Sequence, residues 1–175
     1  MGLEKLLAKK RDAIVADWFD LVAKTYAPDT AQFLKKNTDP FTNPMGGYLS
    51  TGLSGLFDQL ISGLDQETVR PLLDPIVRVR AIQSFSPSKA VAFVFVIKNI
   101  VRKHLAIDSK NKSLVKDLLE FEDRVDAMSL FAFDIYIQCR EKIFELKANE
   151  EKERVFKAFK RAGLIQEVPE NDTVL

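Results

Sequence analysis

From Ser113 to Lys147 the chain runs without a glycine or a proline, and Leu114, Leu118, Phe121, Val125, Met128, Ala132, Ile135 and Cys139 follow one near-heptad seam. A seam of that spacing belongs to one long helix that must lay its apolar side against other helices. Between Leu130 and Ile137 the segment is apolar on every side, which predicts that neighbouring helices wrap its middle. An all-α bundle is the architecture that supplies such neighbours.

The other segments carry helical periods as well. Leu3, Leu7, Ile14, Trp18, Phe19 and Val22 predict a helix from Leu3 to about Thr25 that stops before Pro28. A short helix over 30–36 follows, capped by Asp29 or Thr30. Leu49, Leu53, Leu56, Phe57, Leu60, Ile61 and Leu64 share one face of a third helix, with Gly52, Gly55 and Gly63 along its edge. Asp74-Pro75 and Ser86-Pro87 each read as a cap followed by proline at the first helical position, so each should open a helix. The helix after Ser86 is apolar all round in its core and should be central and buried. A last helix is expected in "EEKERVFKAFKRAGL", stopped by Gly163. The expected organisation is one helical bundle domain of about six to eight helices over 1–165, with a loose tail over 166–175.

Composition removes several function classes. Lys plus Arg number 26 against 25 for Asp plus Glu, so there is no field to attract a nucleic acid or an anionic membrane. Cys139 is the single cysteine and His104 the single histidine, which excludes an internal disulfide and a clustered zinc site. A cytoplasmic location fits that cysteine use. The longest apolar run, Ala90 to Ile97, is far shorter than the ~20 residues of a membrane span, and charges interrupt the leucines that a leader would need.

Few residue groups suggest chemistry. Gly47 to Ser54 has two glycines and a hydroxyl at Walker A spacing, but Leu53 stands in place of the phosphate-holding lysine and no strand precedes it. Close helix packing is the better reading of these glycines. Asp134 lies in an apolar stretch, and burial there would require a partner such as Arg78 or Arg80. His104 continues the line of Phe93, Ile97 and Ile100, so it is expected to point toward the core. Its favoured role is structural, at the carbonyl end of its helix; the alternative is a haem or other cofactor ligand in a globin-like fold. No catalytic residue, metal site or cofactor is expected. Val155, Phe156 and Phe159 make an apolar stripe on a charged terminal helix, a candidate interface.

Three stretches, "FLKKNTDPFTNPMGG", "RVRAIQSFSPSKAVAFVFVIK" and "VFKAFKRAGLI", resemble the N-terminal sensor-type domain of RsbT co-antagonist proteins of the RsbRD kind. The marks are Asn43, Pro44 and Gly46 in the first, and Arg80, Gln83, Ser86 and Pro87 in the second. The resemblance implies a haem-free, globin-like input domain of the stressosome type that dimerises and passes signals to a phosphorylatable STAS domain. No STAS domain is expected to follow here, so the output partner is expected to be another protein, or there is none. Stand-alone domains of this kind look like those encoded beside sulfite-reduction complexes, which implies an accessory role there. The function so implied is a non-enzymatic sensory or regulatory module that binds a small ligand or a protein, as a homodimer.

Overall fold

Asn43 opens the third helix with its side chain, which accepts a hydrogen bond from the Gly46 backbone N–H at 2.8 Å, while Pro44 takes the first helical position. Local signals of that kind set most of the helix starts. The computed structural model describes residues 2–36, 42–83, 85–106 and 111–164. Among the described residues there are six helices and no strand: α1 Leu3–Ala23, α2 Pro28–Lys36, α3 Pro44–Ser62, α4 Gln66–Ile82, α5 Pro87–Leu105 and α6 Lys112–Arg161. The expected all-α architecture is the observed one.

Several boundaries differ from the expectation, each for a local reason. Pro28 does not merely end α1; it starts α2. Asp74-Pro75 does not start a helix, because Asp65 caps α4 from further upstream by accepting from the Thr68 N–H at 3.0 Å. Pro71 and Pro75 then both lie inside α4, four residues apart. Gly63 is not on the packing edge of α3 but forms its C-cap at φ 133°, a conformation that favours glycine. The two expected C-terminal helices are one, since nothing between Lys147 and Glu150 breaks the backbone. At its end the Leu164 N–H reaches the Phe159 carbonyl and Gly163, at φ 68°, reaches that of Lys160, a Schellman closure.

The chain divides into two compact units, Met1–Cys139 and Arg140–Leu175. The tail expected over 166–175 lies outside the described residues. In the first unit α1 packs on α3 and α5, α3 on α4, α4 on α5, and α2 rests against α1 and α3. Trp18, Phe57, Phe93 and Phe121 are among the largest side chains fully buried there. The indole of Trp18 donates to the Phe93 carbonyl at 2.7 Å, which ties α1 to α5. The start of α6 joins α5 through Arg102–Glu122 and Lys98–Asp126.

The edge glycines of α3 do admit a neighbour. A Cβ on Gly52 would stand 2.9 Å from Ile76 Cδ1 and 3.2 Å from the Leu72 carbonyl oxygen, and one on Gly55 would meet Leu72 Cδ1 at 2.9 Å. Two other expectations fail. α5 is not buried all round, since Phe95 is exposed. The middle of α6 is not wrapped either: Leu130 and Phe133 are exposed, and so is Asp134, which therefore needs no buried partner. An apolar run on a helix does not reveal which side faces water, and here the seam from Phe121 to Cys139 alone is covered.

Candidate functional site

The marks shared with the resembled family turn out to be two structural knots. In the first, Asn43 is buried and its amide Nδ2 donates to the carbonyls of Phe33 and Leu34, both at 3.3 Å, so one side chain caps α3 and the end of α2 together. Gly46 sits over it so closely that a Cβ would stand 2.2 Å from Asn43 Nδ2. Pro44 supplies the fixed φ at the first position of α3. These residues order a backbone turn rather than present chemistry.

The second knot centres on Arg80, which is fully buried. Its Nη1 donates to the Lys89 carbonyl at 3.1 Å and its Nη2 to Thr25 Oγ1 at 2.6 Å. The guanidinium carbon lies 5.0, 4.8 and 5.1 Å from the ring centres of Tyr26, Phe85 and Phe93, inside cation–π range of all three. Tyr26 and Phe85 meet edge to face at 5.5 Å. Tyr136 of α6 donates from its hydroxyl to the Phe85 carbonyl at 2.6 Å, closing the turn between α4 and α5. Burial pushes the Arg80 guanidinium below its ordinary value and pushes the Tyr26 phenol above its own, while each opposes the shift of the other. Gln83 caps the end of α4 through its backbone N–H to the Val79 carbonyl. Ser86 and Pro87 begin α5, the serine as N-cap without a side-chain cap bond. The sequence marks Arg80 and Phe85 as shared with the family and Phe93 as a core position, but it carries no sign that these meet Tyr26, since that meeting requires three helices to be in place.

His104 is not a core side chain. Its Nε2 lies 2.9 Å from Asp17 Oδ2, and the side chain keeps 20% of its surface exposed. That hydrogen bond is the main reason the Asp17 carboxyl sits below its usual range. The imidazole thus links the end of α5 to α1, and the nitrogen that an iron would take is turned to a carboxylate. The geometry gives the haem-ligand reading no support.

Beside Asp17 a groove of about 670 Å³ runs between α1, α2 and α3. Val15, Phe19 and Leu34 line it together with Ser50 and Thr51, and so do the charged side chains of Asp12, Asp17, Asp20 and Lys35. Two smaller grooves of about 480 and 310 Å³ border Pro71 and Pro75 in one case and the start of α1 in the other. Among the described residues no group of three or more His, Cys, Asp or Glu side chains could hold a metal. No described helix is long and apolar enough to cross a membrane.

In the second unit Val155, Phe156 and Phe159 are 48%, 45% and 46% exposed, amid Lys152, Arg154, Lys157, Lys160 and Arg161. Phe144 and Leu146 are exposed as well. No curated protein and no solved structure gives a match to this chain. Residues 12–150 match the family described as the RsbT co-antagonist protein rsbRD N-terminal domain, a family of sensory and regulatory domains related to the stressosome. That span contains both knots and most of the six helices, and the chain belongs to this family.

Proposed function

We propose that this chain is a non-enzymatic regulatory module that acts by protein contact, as a homodimer held through the apolar stripe of α6. The observation that carries this reading is the exposure of Val155, Phe156 and Phe159 in the last turns of α6, amid Lys152, Arg154, Lys157, Lys160 and Arg161. Large apolar side chains gathered on one exposed surface favour a protein partner. The groove between α1, α2 and α3 adds a place for a small ligand, with apolar, hydroxyl and charged side chains all in its lining. Its lining includes Gly46, so a ligand there would touch the start of α3 that Asn43 caps. A cytoplasmic setting belongs to the same reading, supported by the one buried free thiol, Cys139.

A chain ending at Ala148 tests the interface. Sedimentation equilibrium should find the intact protein dimeric and the shortened one monomeric, with thermal unfolding showing that the first unit is still folded. A shortened chain that stays dimeric would place the interface elsewhere and overturn the proposal.

A further inference from the structure

The near balance of charge over the whole chain hides an uneven distribution. Between Glu153 and Glu167 the sequence has no acidic residue, while Arg154, Lys157, Lys160 and Arg161 bring cations to the last turns of α6. At about 3.6 residues per turn, Val155, Phe156, Ala158 and Phe159 fall within one arc of about 160°, and the cations take the opposite side. Every residue over 154–164 is exposed, including Leu164 past the helix end. Arg154 pairs with Glu151 at 2.6 Å and Lys157 with Glu153 at 3.5 Å, each acid one turn earlier and each side chain largely in solvent. Solvated pairs of that kind are weak and yield to another anion.

We propose that the end of α6, from Arg154 to Leu164, is a contact for an anionic bilayer surface, on which the helix lies with Val155, Phe156 and Phe159 at the boundary of head groups and acyl chains. Aromatic and aliphatic residues on one side with Lys and Arg on the other are the make-up of a helix that lies in the membrane interface. Arg154 borders the apolar arc on one edge and Lys160 on the other, so their long stems carry the charges up to the lipid head groups while the rings stay below. Charge favours this occupant: a second copy brings like charges beside the stripe, whereas an anionic surface supplies the counter-charge. The contact uses the stripe on which the pairing reading rests, so bilayer and second copy compete for it, and binding to lipid releases the pair.

Flotation of the full chain with lipid vesicles tests this. Vesicles of phosphatidylcholine with about one third phosphatidylserine should bind it at least about tenfold more tightly than phosphatidylcholine alone, and added salt should reduce the difference. Lys157→Gln combined with Lys160→Gln should weaken binding to the anionic vesicles about tenfold and leave self-association without lipid no weaker. Phe159→Ser should weaken both. All three positions are exposed, so thermal unfolding of the first unit should not change. Equal partition onto the two kinds of vesicle would overturn the contact, as would a charge variant that binds like the wild type. Undiminished binding by Phe159→Ser would mean that charge alone is read, as by an acidic protein, and would overturn the bilayer as occupant. A chain that pairs in solution but ignores anionic vesicles overturns this contact and leaves the pairing reading standing; a monomeric chain that binds them does the reverse.

Discussion

A Cβ on Gly52 would stand 2.9 Å from Ile76 Cδ1 and 3.2 Å from the Leu72 carbonyl oxygen, so a side chain as large as leucine must push α3 and α4 apart. Gly52→Leu should lower stability by about 1–3 kcal/mol through overpacking, read from a urea titration. A variant as stable as the wild type would contradict the close approach. Asp17 behaves differently. Its folded pKa lies below the ordinary carboxylate value because His104 bonds it, so its contribution is present above that ordinary value and is lost as pH falls through the folded one. Asp17→Asn should therefore flatten part of the stability loss below about pH 4, by a small amount since the carboxylate is half exposed. Urea midpoints at pH 3 to 7 check this; an unchanged acid limb would remove the role given to the pair. At this scale the packing role of Gly52 was legible, because its spacing places it on the edge of an apolar face. His104 was not: its partner lies 87 positions away in sequence, and periodicity places a residue on a helix face without saying what stands opposite.

The helices themselves follow from caps and periods, and the errors come from capping signals that compete. Asp74 reads as an N-cap in the sequence, but Asp65 is the cap in the structure, where Thr68 offers it both a backbone N–H at 3.0 Å and a hydroxyl at 2.5 Å. Asp74 instead pairs with Arg78 one turn on. Asp65→Ala should cost about 1 kcal/mol, whereas Asp74→Ala should stay within the few tenths typical of an exposed i,i+4 pair. Denaturant midpoints of the two variants give the comparison, and equal losses would mean that the cap has been misassigned. α6 shows the other limit of a sequence pattern. Its buried seam from Phe121 to Cys139 was legible as a near-heptad, but the exposure of Leu130 and Phe133 was not, because apolar residues outside a seam carry no mark of which side is solvated.

For the molecule as a whole, the first unit holds the bundle, the two knots and the groove, while the second carries the apolar stripe. The all-α class and the family were legible from helical periods and from the marks at Asn43 to Gly46 and Arg80 to Pro87, and the match over residues 12–150 agrees. Those marks hold turns together, at the α2–α3 joint and the α4–α5 joint, which is why they named an architecture and no reaction. The division after Cys139 was not legible, since the helix passes through it without a proline or a glycine. The proposal that this module works by pairing rests on the stripe, and the molar mass of the intact chain in solution tests it most directly. One chain weighs 19.8 kDa. Light scattering across a concentration series should give twice that mass at high micromolar protein, falling toward one chain on dilution. A mass of one chain throughout the series would contradict the account.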